Sequence, residues 1–277
     1  MIERLDSFWC AQVVWALKAR PERLDHAALS IAKIEHPNLV PFRYCQALDR
    51  YAARVKVRGL RKDHETRLQR LRRVLAEEEG FRGNTQEYDA PQNSFINVVM
   101  DTRRGLPITL SIIYLEVARR AGIPLYGVAF PGHFFVACDL PGRKLLMDPF
   151  NSGAILDDAG CIELLRRTDP KAQFSPNMIT PATPLSIVQR LLTNLKSSYL
   201  RRGDGGGILK VVDMLLALSP NDANELRMRA ALFSLLGAFR AALADVERCI
   251  QLSPTSPDHA SLVMTAKSLR DRAKYVN

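Results

Sequence analysis

His133 is the histidine whose neighbours could give it chemical work. It follows Pro131-Gly132, opens the aromatic and β-branched run Phe134-Phe135-Val136, and precedes Asp148-Pro149-Phe150 by 15 residues. An imidazole beside a carboxylate can serve as a base whose tautomer the acid fixes, or can simply tie two strands together. Pro141-Gly142 reads as the turn between a strand from His133 and a returning strand from Lys144 to Asp148. That turn sets residue 135 opposite 148 and puts His133 on the face of Asp148. A slip of one residue would separate them. From spacing alone, the catalytic pair and the structural hydrogen bond both stand. His26, His36, His64 and His259 lack matched Cys, Asp or Glu spacing and read as ordinary surface or core residues. One His and one Asp fall short of the three protein ligands of a catalytic zinc site, so neither a metal nor a cofactor is expected.

The five cysteines (Cys10, Cys45, Cys138, Cys161, Cys249) are odd in number and show no CxxC spacing. They read as reduced, mostly buried thiols of a cytoplasmic protein. Cys138 is five residues along the strand from His133, so it points to the opposite face about 16 Å away. No motif surrounds Cys10 or Cys45.

The elements that would position His133 follow from periodicity. Residues 1–79 read as helices with short breaks, one ended by Arg20-Pro21 and another near His36-Pro37. Gly80-Phe81-Arg82-Gly83-Asn84 reads as a polar loop. Pro107 to Ala121 is a helix with proline in its first turn and Gly122 as its stop. Strands follow, so residues 80–168 form an α+β core with a small antiparallel sheet. Pro170, Pro176, Pro181 and Pro184 make 169–185 a linker.

Residues 186–277 carry a repeat. Leu218-Ser219-Pro220 recurs 34 residues later as Leu252-Ser253-Pro254, the period of the tetratricopeptide helix–turn–helix. In that frame Tyr199 matches Phe233, Gly203 matches Gly237, and Val212 matches Val246. A last helix from about Asp258 to Tyr275 would cap the stack.

Composition excludes other classes. Of 277 residues 47% are hydrophobic and 25% charged, which excludes a disordered or collagen-like chain. No apolar run approaches the ~20 residues of a membrane span, and the acids near the N-terminus do not suit a secretory signal. The net charge of +10 is concentrated: ten basic residues and two acids between Arg50 and Arg73 leave +8 there. Arg54, Arg58, Arg61 and Lys62 lie at its centre. Apolar residues interleave at helical spacing, so the segment reads foremost as a solvated helical face. An acidic protein or nucleic acid is its alternative partner.

Several motifs carry a resemblance: Asn93-Ser94-Phe95, Arg104-Gly105-Leu106-Pro107-Ile108-Thr109-Leu110-Ser111, Tyr114-Leu115-Glu116-Val117-Ala118-Arg119-Arg120, Phe130-Pro131-Gly132-His133 and Asp148-Pro149-Phe150-Asn151. Together they resemble the bacterial SirB-type family, in which a papain-like, transglutaminase-like core precedes tetratricopeptide repeats. The resemblance covers nearly the whole chain. It implies an α+β core between N-terminal helices and all-α repeats.

It also implies roles. The superfamily uses a Cys at a helix N-terminus, a His on the adjacent strand and an Asp on the next. His133 and Asp148 match the last two. The nucleophile position falls on Pro107, which has neither thiol nor N–H. Ser111, one turn further on, is the best substitute, although a helical Ser more often bonds a carbonyl one turn back. Asn93, Thr109 and Asn151 join Ser111, His133 and Asp148 as candidate binding residues. The expectation is therefore a non-catalytic scaffold that binds a protein or peptide through its cleft and repeats. The alternatives are a hydrolase or amidase acting through an unrecognised nucleophile, and a nucleic-acid-associated regulator acting through Arg50–Arg73.

Overall fold

The computed structural model describes residues 7–19, 21–56 and 63–274. It divides into two units, residues 12–195 and residues 196–277 with 1–11, and the two divisions each fall inside a helix. No helix among the described residues is long and apolar enough to cross a membrane.

The larger unit begins with helices. After α1 (Ser7–Lys18) come α2 (Leu24–Ala32), α3 (Pro41–Val55) and α4 (His64–Arg72). Asp63 caps α4 by accepting the Thr66 N–H at 2.8 Å. The helix then loosens into a π turn over Arg73–Glu78. A parallel pair of two-residue strands, β1 (Arg82–Gly83) and β2 (Arg104–Gly105), flanks a 3-10 turn at Pro91–Ser94 and α5 (Ile96–Thr102). The stretch 80–84 therefore holds a strand where the sequence suggested only a loop. Its partner lies about 20 residues away, so local pattern could not show it.

The central helix α6 (Pro107–Ala121) has Pro107 in its first turn and ends on Gly122 at φ +69°. α2, α3 and α4 pack against it. It is apolar almost all round: Ile108, Leu110, Ile112, Ile113, Tyr114, Val117 and Ala118 are all buried, as befits a helix enclosed on every side.

Four antiparallel strands follow in sequential order: β3 (Tyr126–Phe130), β4 (His133–Leu140), β5 (Arg143–Asp148) and β6 (Ala154–Leu156). Pro141-Gly142 is the β4–β5 turn, with Leu140 paired to Arg143 and Val136 to Met147. α7 (Asp158–Thr168) covers one side, where Cys161, Leu164 and Leu165 pack with Val128, Phe130, Phe135, Ala137 and Leu146. The proline-rich stretch adds Ile179, Phe174 and Met178 to that core and bridges Val128 through Pro181.

From α8 (Pro184–Arg202) onward the chain is helical: α9 (Gly205–Leu218), α10 (Ala223–Leu235), α11 (Phe239–Leu252) and α12 (His259–Ala273). Gly203 (φ +66°) and Gly237 (φ +74°) turn the two hairpins at equivalent positions. The aligned positions Tyr199 and Phe233, and Val212 and Val246, are all buried. Arg229 on α10 is held between Asp213 of α9 at 2.8 Å and Asp245 of α11 at 2.7 Å, a bidentate contact on the Asp245 side.

Candidate functional site

The site forms where β4 starts and β5 ends. The hairpin register aligns residue 135 with residue 148, so His133 sits diagonally across from Asp148 on one face. His133 Nε2 lies 2.9 Å from Asp148 Oδ2. Asp148 is fully buried, and its remaining acceptor sites are met by the chain just beyond it. Oδ1 accepts the Phe150 N–H at 2.9 Å, and Oδ2 also accepts from Asn151 Nδ2 at 2.6 Å. A carboxylate can only accept, so Nε2 is the donor. Nδ1 has no hydrogen-bond partner among the described residues and is not one of the buried unpartnered atoms. It is left accessible as an acceptor.

The loop after Asp148 is shaped for this purpose. Ser152 (φ +53°) and Gly153 (φ +69°) are both left-handed, and the Gly153 N–H returns to the Asp148 carbonyl at 2.8 Å. A side chain at Gly153 would strike Arg72. Phe150 packs edge-on to the His133 ring, with centroids 6.0 Å apart, and also against Tyr88 at 5.9 Å. On the other strand, Gly132 (φ +67°) leads into His133, and a Cβ there would collide with Thr168.

Pro107 occupies the first turn of α6 with no side-chain cap before it. One and two turns on, Ser111 and Tyr114 follow at helical spacing. Ser111 is fully buried, and both its Oγ and the Tyr114 hydroxyl lack a hydrogen-bond partner among the described residues. Burial pushes the Tyr114 hydroxyl far up, with the Asp148 charge acting in the same direction and Arg72 opposing. Sequence reasoning named Tyr114 only within a motif and not as a site residue, because a Tyr on a helix face reads as core.

Asn93 and Thr109 come together elsewhere. Thr109 Oγ1 donates to the Asn93 carbonyl at 2.8 Å. The Asn93 amide donates to the carbonyls of Glu87 and Tyr88 and accepts from Asn84 Nδ2 at 3.0 Å. Their polar atoms thus fasten the 3-10 turn to α6. Asn151 is the third candidate, and it does reach the His133–Asp148 pair.

Of the central basic residues, Arg58, Arg61 and Lys62 lie outside the described residues. Arg54 bonds Glu79, and Glu78 at 2.7 Å. Arg70 meets Glu78 at 2.9 Å and Arg72 meets Glu77 at 2.6 Å. The three glutamates follow directly on the basic run and reduce its excess of eight to five.

A second cluster joins Asp25, His26 and Cys45. Cys45 Sγ lies 3.6 Å from Asp25 Oδ2 and 3.7 Å from His26 Nε2. Asp25 is already bound by Arg23 at 3.0 Å and by Arg120, so positive charge stands where a cation would sit. Burial, reinforced by Asp25, pushes the Cys45 thiol up to about 11. That thiol stays protonated at neutral pH.

Residues 42–193 match the family model described as the transglutaminase-like superfamily, and residues 195–266 match a tetratricopeptide repeat. A UPF0162 protein of Xylella fastidiosa is 36% identical over 243 residues, covering 84% of this chain and 85% of its own length. The chain belongs to the UPF0162 family. A UPF0162 protein of Pseudomonas aeruginosa is 32% identical across 86% of this chain and 87% of its own length. One from Vibrio cholerae is 28% identical across 71% and 73%. The first match takes in α3 to α7 and both sheets, and the repeat match takes in the end of α8, all of α9, α10 and α11, and the first half of α12.

Proposed function

We propose that this UPF0162 protein is a protein- or peptide-binding scaffold built on a transglutaminase-like core that does no acyl-transfer chemistry. The observation that carries the reading is Pro107 in the first turn of α6. A proline there offers no thiol to attack and no N–H to an oxyanion. Among the described residues His133 has one side-chain hydrogen bond, to Asp148, and no hydroxyl or thiol joins it. The repeats favour the same reading, since stacked helical hairpins present surfaces suited to peptides.

The retained pair supports a hydrolase or amidase as second reading, because Nδ1 of His133 is unoccupied and Ser111, one turn beyond Pro107 on roughly the same face of α6, carries a hydroxyl. Ser111 is fully buried, which weighs against it. The nucleic-acid reading rests on Arg50–Arg73 alone, and Glu77–Glu79 offset much of that charge.

Panning a displayed peptide library against the full chain tests the proposal. Enriched peptides should bind reversibly, lose affinity on Phe150→Ala, and return unmodified after prolonged incubation. Peptide cleavage or amide exchange that disappears in His133→Ala would establish the enzyme instead.

A further inference from the structure

A cavity of about 530 Å³ is walled in part by Phe150 and Asn151, the two loop residues that hold Asp148. Its walls include Arg82 and Arg104, with Thr85, Gln86, Phe150 and Asn151 around them. The two arginines are register partners on the paired strands β1 and β2, whose backbones run about 4.8 Å apart. Like charges placed directly opposite on neighbouring strands repel. Neither guanidinium has an ion-pair partner among the described residues. The adjacent arginine shows what a structural guanidinium looks like here: Arg103 binds Glu79 at 3.0 Å and lies over the Phe81 ring at 4.8 Å.

Two unneutralised forks in one polar cavity are arranged for an anion. We infer that this cavity recognises a carboxylate, supplied by an acidic peptide, beside the loop that holds Asp148. The inference rests on the peptide-binding reading above. Carboxylate is favoured over phosphate by what the backbone offers. Phosphate sites draw on free N–H groups of glycine-rich loops or helix N-termini. Here the Gly83 N–H is spent on the Phe150 carbonyl at 2.8 Å and the Asn84 N–H on the Gly105 carbonyl at 3.1 Å. The glycine strand's own N–H groups are thus spent, and arginine forks match a planar carboxylate in two parallel hydrogen bonds. Thr85 and Gln86 offer donors and acceptors for the amides on either side of an acidic residue. Gly83 keeps the wall thin, because a Cβ there would fall 2.5 Å from the Phe150 ring.

The test uses the full chain and a fluorescein-labelled Gly/Glu peptide, with its Gly/Gln counterpart and inorganic phosphate as comparisons. The Glu peptide should bind at least about tenfold more tightly than the Gln peptide. Arg82→Gln and Arg104→Gln should each weaken it by about tenfold, equivalent to ~1.4 kcal/mol. Arg→Lys at either site should recover only part of the loss, since charge returns without the fork. Arg166→Gln, on the outer surface of α7, should change nothing. Melting curves of every variant show that the fold is kept. Equal binding of the two peptides, or equal weakening by Arg166→Gln, would overturn the carboxylate site. So would phosphate bound through both arginines with the peptide excluded. Peptide turnover would overturn the scaffold reading alone, provided that the two arginine variants still weaken capture of the Glu peptide.

Discussion

Nε2 of His133 lies 2.9 Å from Oδ2 of Asp148, and Asp148 is also held by the Phe150 N–H and the Asn151 amide. The two partners are therefore unequal. Asp148 gathers three donors in a fully buried position. His133 uses one nitrogen and keeps 10% of its side chain exposed.

That inequality sets the order of two substitutions. Asp148→Ala removes the buried carboxylate that three donors share and should cost about 3–5 kcal/mol. His133→Ala leaves two donors on the carboxylate and should cost about 1–2 kcal/mol. Urea unfolding of both variants measures the difference. Equal costs would mean that the loop donors contribute little.

Pro107→Cys would place a thiol in the first turn of α6, where the helix dipole favours the thiolate. Iodoacetamide at neutral pH should label it faster than any of the five native cysteines. Adding His133→Ala should slow that labelling if the imidazole reaches the position. Mass spectrometry of tryptic peptides reads both rates.

The native thiols should be inert by comparison. Burial pushes Cys161 up to about 11, with Asp158 and Asp157 acting in the same direction, and Cys45 is pushed up equally. Alkylation of both should be slow at pH 7 and rise as pH approaches 11. Rapid labelling of Cys45 at pH 7 would show that the Asp25–His26–Cys45 cluster is more reactive than its geometry implies.

Asp25 gives the fold a pH dependence. Burial raises its carboxyl, but hydrogen bonds and charge from Arg23 and Arg120 outweigh that and hold it well below the usual range. A carboxyl with a depressed folded value stabilises fully above its unfolded value of about 3.9, and that contribution fades as pH falls through the folded value. Asp25→Asn should therefore be most destabilising at neutral pH. Its difference from the native chain should shrink in acid. Unfolding midpoints from pH 7 downward check the trend.

Gly83→Ala should cost about 1–3 kcal/mol through overpacking against Phe150. In a double-mutant cycle, Phe150→Leu should recover part of that loss, because the clash is with the ring. Additive costs would place the strain elsewhere.

Sequence pattern reached the core of this site because it is local. The turn at Pro141-Gly142 is a two-residue connection, so counting outward from it gave the register that joins His133 to Asp148. The repeats were equally legible, since a 34-residue period survives in Leu-Ser-Pro and in the paired glycines. Arg82 and Arg104 were each named, one in a loop and one in a motif, but their pairing was not legible because the partners are 22 residues apart, across a 3-10 turn and α5, and neither strand exceeds two residues. Thr109 and Asn93 were named through the motifs around them, yet their role as a tie between the 3-10 turn and α6 needs the backbone carbonyl of Asn93, which no side-chain pattern shows. The Arg50–Arg73 charge looked larger in isolation than it is, because Glu77–Glu79, at the end of the π turn, pair with it.

The short loop Phe150–Gly153 has two faces. One supplies Asp148 with two of its three donors, and the other walls the arginine cavity. Phe150 belongs to both, since its N–H fixes the carboxylate and its ring closes against Gly83 and His133. The cavity wall and the imidazole's support are thus one piece of backbone: a ligand that displaced the wall would alter the hold on Asp148, and with it the angle at which His133 meets solvent.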